Sequence, residues 1–382
     1  MVLAINRGSS SIKFAVYPES LDAPVLSGKL ERIGLPDGVF KAWDGARATL
    51  ADQRLALTDH EAALKTLLDW LRGRKLDLRV AGHRVVHGGT RYDRPCLVTP
   101  DVVAELKGLI PLAPEHLPQE IEAIEAITRL HPDLPQVACF DTAFHRTMPR
   151  EAQLYGLPRE LAHEGILRYG FHGLSYEYIA GEAPRGRVIA AHLGNGASLA
   201  AIRDGVSADT SMGFTPTGGI AMGTRSGDLD PTVVLYLIRE KKVPPALVGA
   251  LVNEHAGLLG ISGFSSDMHD LLAKEKENPA AAEAIAVFCY QARKYIGAFA
   301  AVLDGLDTLV FTGGIGENAA SIRRRICEGL GYLGIRLDAA ANAGGASVIS
   351  AADSKVGVRV IKTNEELIIA RHARSVAGVP PG

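Results

Sequence analysis

A hairpin pattern written twice constrains this chain more than any other feature. The apolar run 2–5 ends in Asn6-Arg7-Gly8-Ser9-Ser10-Ser11, and a second run from Ile12 to Tyr17 carries Lys13 one step inside it. This is a strand, a tight turn and a returning strand. Small residues let backbone N–H groups approach an anion, three hydroxyls add donors, and Lys13 supplies a point charge. The turn suits phosphate, although an ordinary polar hairpin has the same local pattern, and neither GxxxxGK[ST] nor GxGxxG is present. The pattern returns at 188–202, where Val188-Ile189-Ala190-Ala191-His192-Leu193 enters Gly194-Asn195-Gly196 and resumes as Ala197-Ser198-Leu199-Ala200-Ala201-Ile202. A duplication whose halves each open on one hairpin accounts for this; the alternative is two unrelated hairpins sharing turn chemistry.

Length agrees with two halves, since 382 residues exceed what one core usually supports. Hydrophobic content of 47% and charged content of 22% belong to a soluble globular protein. The 41 basic and 43 acidic residues leave a net charge of −2 without long runs of one sign, so no nucleic-acid partner is expected. Cys96, Cys139, Cys289 and Cys327 form no CxxC pair, which argues against a zinc site or a disulfide framework. No apolar stretch approaches the roughly 18 residues of a membrane span and no leader pattern opens the chain, so the expectation is a cytoplasmic enzyme with no membrane partner.

Between the hairpins, 25–33 reads as a strand and 34–45 as turn-rich. Asp59 is placed to cap a helix with Ala63, Leu67, Leu68 and Leu71 on one face. The strand 80–86 carries His83 and Arg84 among apolar neighbours, and a buried arginine demands a partner. Two helical patterns at 100–110 and 117–130 precede a short strand, 137–140, ending at Asp141. A carboxylate at a strand's C-terminal end is where open α/β sheets place ligand chemistry, although it can also cap a turn. The stretch 149–166 is irregular, which puts a domain boundary near Pro149. His172 lies between glycines and aromatics, as a satisfied core histidine or a reactive one would.

The 209–230 stretch is rich in Gly, Thr and Ser, and a loop that long is usually functional. Arg225 sits within it, as a solvated arginine or an anion ligand. Helices are expected at 231–240, 245–253 and 279–303, then a strand at 308–312 entering Gly313-Gly314-Ile315-Gly316-Glu317-Asn318 and a helix over 319–331. Strand, glycine turn and helix N-terminus together suit a nucleotide. A strand at 358–361 leads to Thr363-Asn364-Glu365-Glu366, where Glu365 is either a capping-box residue or a metal ligand.

Asn6 to Lys13, Gly82 to Gly89, Phe140 to His145, Tyr169 to Gly173, His192 to Gly196, Met212 to Pro216, Met222 to Arg225, Phe311 to Asn318 and Thr363 to Glu366 together resemble the acetate and propionate kinases, in family order along the chain. The resemblance implies an α/β fold of two duplicated actin/sugar-kinase-type (ribonuclease H-like) domains with an active-site cleft between them. It divides the chain into residues 1–148, completed by the C-terminal helix 365–382, and 149–364, which binds nucleotide and dimerises. It implies a homodimer that transfers the γ-phosphoryl group of ATP reversibly to acetate or another short carboxylate, giving an acyl phosphate and ADP, with Mg²⁺ or Mn²⁺ as cofactor.

By the same resemblance Arg84, Arg225, His172 and Asp141 are catalytic, and Arg84, Val86 and Pro216 bind the acid. Lys13, His192, Gly194, Asn195, Gly196, Asp267, Gly313, Gly314, Ile315, Gly316, Glu317 and Asn318 face the nucleotide, and Asn6 and Glu365 lie near the metal. These residue types suit the reaction. Like unit charges about 4 Å apart repel by roughly 4 kcal/mol at an effective dielectric of about 20. Two guanidiniums, a donor histidine and a divalent cation reverse that sign, while the carboxylate nucleophile needs no general base. The chain departs from the family at Glu115, where a pocket leucine is expected and where Leu117 stands ready to fill the apolar space. Tyr176 replaces a frequent second histidine, and His269 replaces an arginine on the nucleotide side.

Overall fold

The computed structural model describes residues 1–8 and 11–380 and divides into two compact units, Met1–Phe144 with Asn364–Gly382, and His145–Thr363. Ser9 and Ser10, two of the three hydroxyls of the opening turn, lie outside the described residues.

In the first unit, β1 (Val2–Arg7) and β2 (Ser11–Tyr17) pair antiparallel with Asn6 opposite Lys13. β3 (Leu26–Glu31), β4 (Gly38–Asp44) and β5 (Thr49–Leu55) continue the meander, while β6 (Val80–Val85) and β8 (Gln136–Phe140) extend it in parallel on the other side of β1. β7 (Cys96–Leu97) closes that edge. The expected turn-rich stretch over 34–45 is therefore half strand. Leu35, Pro36 and Asp37 do form turns, but from Gly38 onward residues alternate between buried and half-buried. Its apolar residues are divided between the two faces, Phe40 and Ala42 buried and Val39 and Trp43 half-buried, and Phe40 meets Trp70 edge-on at 5.3 Å. Trp70 comes from the helix His60–Arg72, whose N-cap Asp59 accepts the Ala62 N–H as expected. The C-terminal helix Glu365–Val376 belongs to this unit, and a Cβ at Gly82 of β6 would lie 2.6 Å from Ile369 Cγ2, so only glycine fits beneath it.

In the second unit, β9 (Arg187–Leu193) and β10 (Ala197–Arg203) form the second hairpin, with His192 opposite Ser198. β11 (Val206–Thr210) pairs antiparallel with β10, and β12 (Thr308–Thr312) and β13 (Gly357–Val360) run parallel beyond β9. The order β11-β10-β9-β12-β13 repeats β3-β2-β1-β6-β8 strand for strand. Each unit thus has an antiparallel meander of three whose first strand starts a parallel extension, the ribonuclease H-like layout. The helix Pro279–Val302 packs Ile285, Phe288, Ala292, Ile296 and Phe299 against its neighbours at three- and four-residue spacing.

Gly313 to Asn318 is not a turn but a short helix, Gly313–Asn318, that starts directly at the end of β12. Gly313 has φ +77°, and a Cβ there would lie 2.7 Å from the Leu193 carbonyl oxygen, so the close approach of helix and hairpin depends on glycine.

Candidate active site

The first unit gathers its charges at the ends of β1, β6 and β8. Arg84 donates from Nε and Nη2 to Asp141 Oδ2 at 2.9 and 2.6 Å, and from Nη1 to the Arg7 carbonyl at 3.0 Å. Burial alone would lower the Arg84 pKa, but Asp141, Glu365 and Glu120 outweigh it and raise the pKa, so the guanidinium stays charged. Asp141 follows β8 directly, with its N–H bound to the Val85 carbonyl. The carboxylate is thus a clamp on Arg84, and three guanidinium nitrogens are spoken for. Their geometry is fixed before any ligand arrives.

Asn6 donates from Nδ2 to Glu365 Oε2 at 2.8 Å and to Glu366 Oε1 at 2.9 Å. The N-cap of the last helix is instead Asn364, whose side chain accepts the Leu367 N–H. Glu365 is therefore not spent on capping. Two carboxylates and an amide oxygen suit a hard cation that takes oxygen ligands and completes its shell with phosphates and water. Among the described residues no group of three or more His, Cys, Asp or Glu forms a fully protein-made metal cage.

Val86, the expected acyl contact of this unit, is buried and donates its N–H to Glu120 Oε2 at 2.9 Å. Glu120 is 4% exposed, its other oxygen has no hydrogen-bond partner, and burial pushes its pKa up to about 7 despite Arg84 and the Val86 N–H. Sequence reasoning missed this residue. The signal was present: Glu120 shares the buried face of the helix Leu117–Leu130 with Leu117, Ile121, Ile124 and Ile127. A carboxylate at that spacing is out of place unless it has work to do. Glu115 is half-exposed and Leu117 fully buried.

The second unit builds its part around the second hairpin. His172 Nδ1 bonds Ser198 Oγ at 2.8 Å, and its ring stacks on His192 with centroids 4.3 Å apart. His192 Nδ1 bonds Ser175 Oγ at 2.8 Å. A Cβ at Gly196 would meet His172 Nε2 at 3.3 Å and Arg225 Nη1 at 3.6 Å, so the two donors converge on the backbone of the turn. Arg225 Nη1 also donates to the Pro216 carbonyl at 3.2 Å. The loop carrying it is pinned at several points. Gly223 N–H bonds the Asn195 carbonyl at 2.9 Å, Asp228 accepts from Gly219 N–H at 2.8 Å and from the Tyr295 hydroxyl, and Gln291 of the Pro279–Val302 helix accepts from Ala221 N–H.

Beside this cluster lies a cavity of about 720 Å³ lined by Gly194, Asn195, Asp267, His269, Gly314, Ile315 and Asn318, among others. That is within the size range of small-molecule sites. Six of the residues expected at the nucleotide therefore share one wall. Glu317 does not line it: its carboxylate turns back to accept the Gly313 and Thr363 N–H groups at 3.1 and 3.3 Å, holding the start of its own helix. Gly313 and Gly316 are buried in the packing of that helix, and Lys13 stands exposed in the first unit. Asp267 caps the helix Met268–Lys274 through the His269 N–H at 2.8 Å.

A model of the acetokinase family matches residues 1–371. The chain belongs to the acetokinase family. Acetate kinase of Rhodopseudomonas palustris (strain ATCC BAA-98 / CGA009) is 48% identical over 99% of this chain and 98% of the relative, and acetate kinase of Clostridium botulinum (strain Loch Maree / Type A3) is 43% identical over 98% and 99%. Among solved structures, a propionate kinase from Francisella tularensis superposes with a TM-score of 0.92, and acetate kinase of Porphyromonas gingivalis with 0.87; both are 37% identical and cover 98% of this chain and 99% of theirs. Within this acetokinase, Glu366, Glu120 and Ser198 join the residues that the motifs had singled out. Glu366 and Ser198 stood inside quoted motifs without a role of their own and Glu120 outside any motif, because the partner that defines each, Asn6, His172 and Val86, is distant in sequence.

Proposed function

We propose that this protein is an ATP-dependent acetate kinase that transfers the γ-phosphoryl group reversibly to acetate, giving acetyl phosphate and ADP. The observation that carries the reading is the convergence of His172 Nε2 and Arg225 Nη1 on Gly196, beside a nucleotide-sized cavity whose wall includes Gly194 and Asn195. A site that only held nucleotide would have no use for a guanidinium and an imidazole aimed beyond the cavity at a second anion.

A carboxylate substrate is already ionised near neutral pH, so no general base is required. One of its oxygens forms the new O–P bond while the bond from the γ-phosphorus to the bridging oxygen breaks, and that electron pair leaves with ADP. No proton moves in the transfer. Arg84, immobilised by Asp141, and Arg225, immobilised by its loop, neutralise the carboxylate and the equatorial phosphoryl oxygens, and His172 donates a hydrogen bond to the phosphoryl group. Planar forks suit this task better than lysine. Asn6, Glu365 and Glu366 would hold Mg²⁺ or Mn²⁺, which when bound offsets phosphate charge. Asn195, Asp267, Gly314, Ile315 and Asn318 line the nucleotide, and Val86 and Pro216 receive the acyl chain.

The enzyme is cytoplasmic and homodimeric in this reading. No helix among the described residues is long and apolar enough to cross a membrane. Support for the dimer comes from the helices Pro231–Arg239 and Pro245–Glu254, which leave Val233, Leu235, Tyr236, Leu247 and Leu251 exposed together.

Trapping of acyl phosphate as hydroxamate tests the assignment: acetate should give product in step with ADP, and ATP consumption without hydroxamate from any short acid would refute it. Propionate is the second candidate acceptor, favoured by the 0.92 superposition on a propionate kinase. Comparing kcat/KM for acetate, propionate and butyrate separates the two.

A further inference from the structure

We propose that Tyr176 is a positioning residue for His172: acting through Ser198, it fixes the imidazole tautomer that carries its proton on Nε2. The proposal deepens the reading of His172 as a hydrogen-bond donor to the phosphoryl group and rests on it.

Tyr176 lies one turn into the helix Gly173–Glu182, fully buried, with its hydroxyl 2.6 Å from Ser198 Oγ. Ser198 is fully buried as well, and its Oγ is 2.8 Å from His172 Nδ1. The directions of these two bonds follow from placing each buried hydrogen. The Tyr176 hydroxyl is fully buried, so its hydrogen needs an acceptor, and Ser198 Oγ is the one its geometry offers. Ser198, having accepted from the tyrosine, has one hydrogen to give, and His172 Nδ1 is the acceptor in reach. Nδ1 is therefore unprotonated, which leaves the hydrogen of a neutral ring on Nε2, the atom facing Gly196 and Arg225. An imidazolium would reverse the last bond and strand a buried serine hydrogen.

The backbone makes the same connection. His172 adopts φ +58°, a left-handed conformation unusual for a non-glycine residue, at the N-cap of this helix. The Tyr176 N–H holds its carbonyl at 3.0 Å. Tyr176 thus fastens both the backbone and the ring of the residue four positions before it. The stack against His192 and the Ser198 bond leave the ring one orientation.

The test reads the tautomer directly. Protein labelled with ¹⁵N at histidine, in long-range ¹H–¹⁵N correlation spectra with His172 assigned from His172→Gln, should show the Nε2–H pattern in the unmodified enzyme. Tyr176→Phe should shift His172 toward a mixture of tautomers. It should also lower kcat roughly 10- to 100-fold, as loss of an outer partner does for other oriented histidines, with KM for ATP and acid within about twofold. Ser198→Ala should do the same, and the double variant should be no worse than either single one. An unchanged Nε2–H pattern in Tyr176→Phe and Ser198→Ala, or a double variant that multiplies the two losses, overturns the proposal. Undiminished kcat in His172→Gln would instead refute the donor role of His172, whatever the spectra show.

Discussion

Glu120→Gln should make the enzyme more resistant to unfolding at alkaline pH than the parent, and less distinct from it in acid. Glu120 is nearly inaccessible, one of its oxygens lacks a partner, and burial holds its pKa near about 7 against an ordinary 4.5. In the unfolded chain the carboxyl loses its proton near its ordinary value, whereas the folded protein keeps the proton until about pH 7. A raised folded pKa is a stabilising contribution present below 4.5 and lost as pH climbs through 7. At about 1.4 kcal/mol per pKa unit, the loss amounts to about 3 kcal/mol above pH 7. Glutamine keeps an amide oxygen for the Val86 N–H and has nothing to titrate. The stability difference between variant and parent should therefore grow by about 3 kcal/mol between pH 4.5 and 8, equivalent to roughly 6–12 °C in Tm for a unit of this size. Thermal unfolding at pH 5, 6, 7 and 8 measures it. A difference that stays flat across this range would refute the picture of a buried, strained carboxyl, and a difference that shrinks would mean that Arg84 and Arg7 stabilise the anion more than burial opposes it.

Other outcomes are expected at the remaining groups. Arg225→Ala should lower kcat by about 10²–10³, the range for removing one preorganised charge donor, with a smaller change in KM for ATP; initial-rate kinetics would expose an error as a preserved kcat. Asp141→Asn leaves Arg84 as a charge without its clamp and should cost about 3–5 kcal/mol in stability as well as activity, read by denaturant unfolding, where an unchanged midpoint would count against the clamp. Leu247→Asp, on the exposed apolar face, should convert a dimer to monomer in analytical ultracentrifugation while leaving the isolated fold intact; a variant that sediments like the parent would move the dimer face elsewhere.

The duplicated fold was legible because hairpin chemistry is local. Asn6 opposite Lys13 and His192 opposite Ser198 are set by turn residues a few positions apart. β4 and β5 were not legible, because strands with few β-branched residues, β4 with apolar residues on both faces and β5 largely exposed, carry little alternating signal until their neighbour is known. At the site, Arg84, His172 and Arg225 stood out as charges or donors near glycine turns, and Asp141 as a carboxylate at the end of a strand. Asp141 and Arg84 are 57 positions apart, so their ion pair could be anticipated only as a demand for some partner. Glu120 and Ser198 stayed hidden for a different reason. Glu120 sits at apolar-face spacing in its helix, but nothing in the motif order says what it would meet there, and Ser198 looks like any strand serine until its partners are known. Gly313 to Asn318 was read as a turn because glycines usually punctuate; here they admit a helix against Leu193.

The central claim is a single displacement of the γ-phosphoryl group from ATP onto a short carboxylate, and the stereochemical course at phosphorus measures it most directly. With ATP made chiral at the γ-phosphorus by isotopic oxygens and sulfur, and with acetate as acceptor, the acyl phosphate should form with inverted configuration. Retention would require two displacements through a phosphorylated residue and would contradict direct transfer between the nucleotide and the acid.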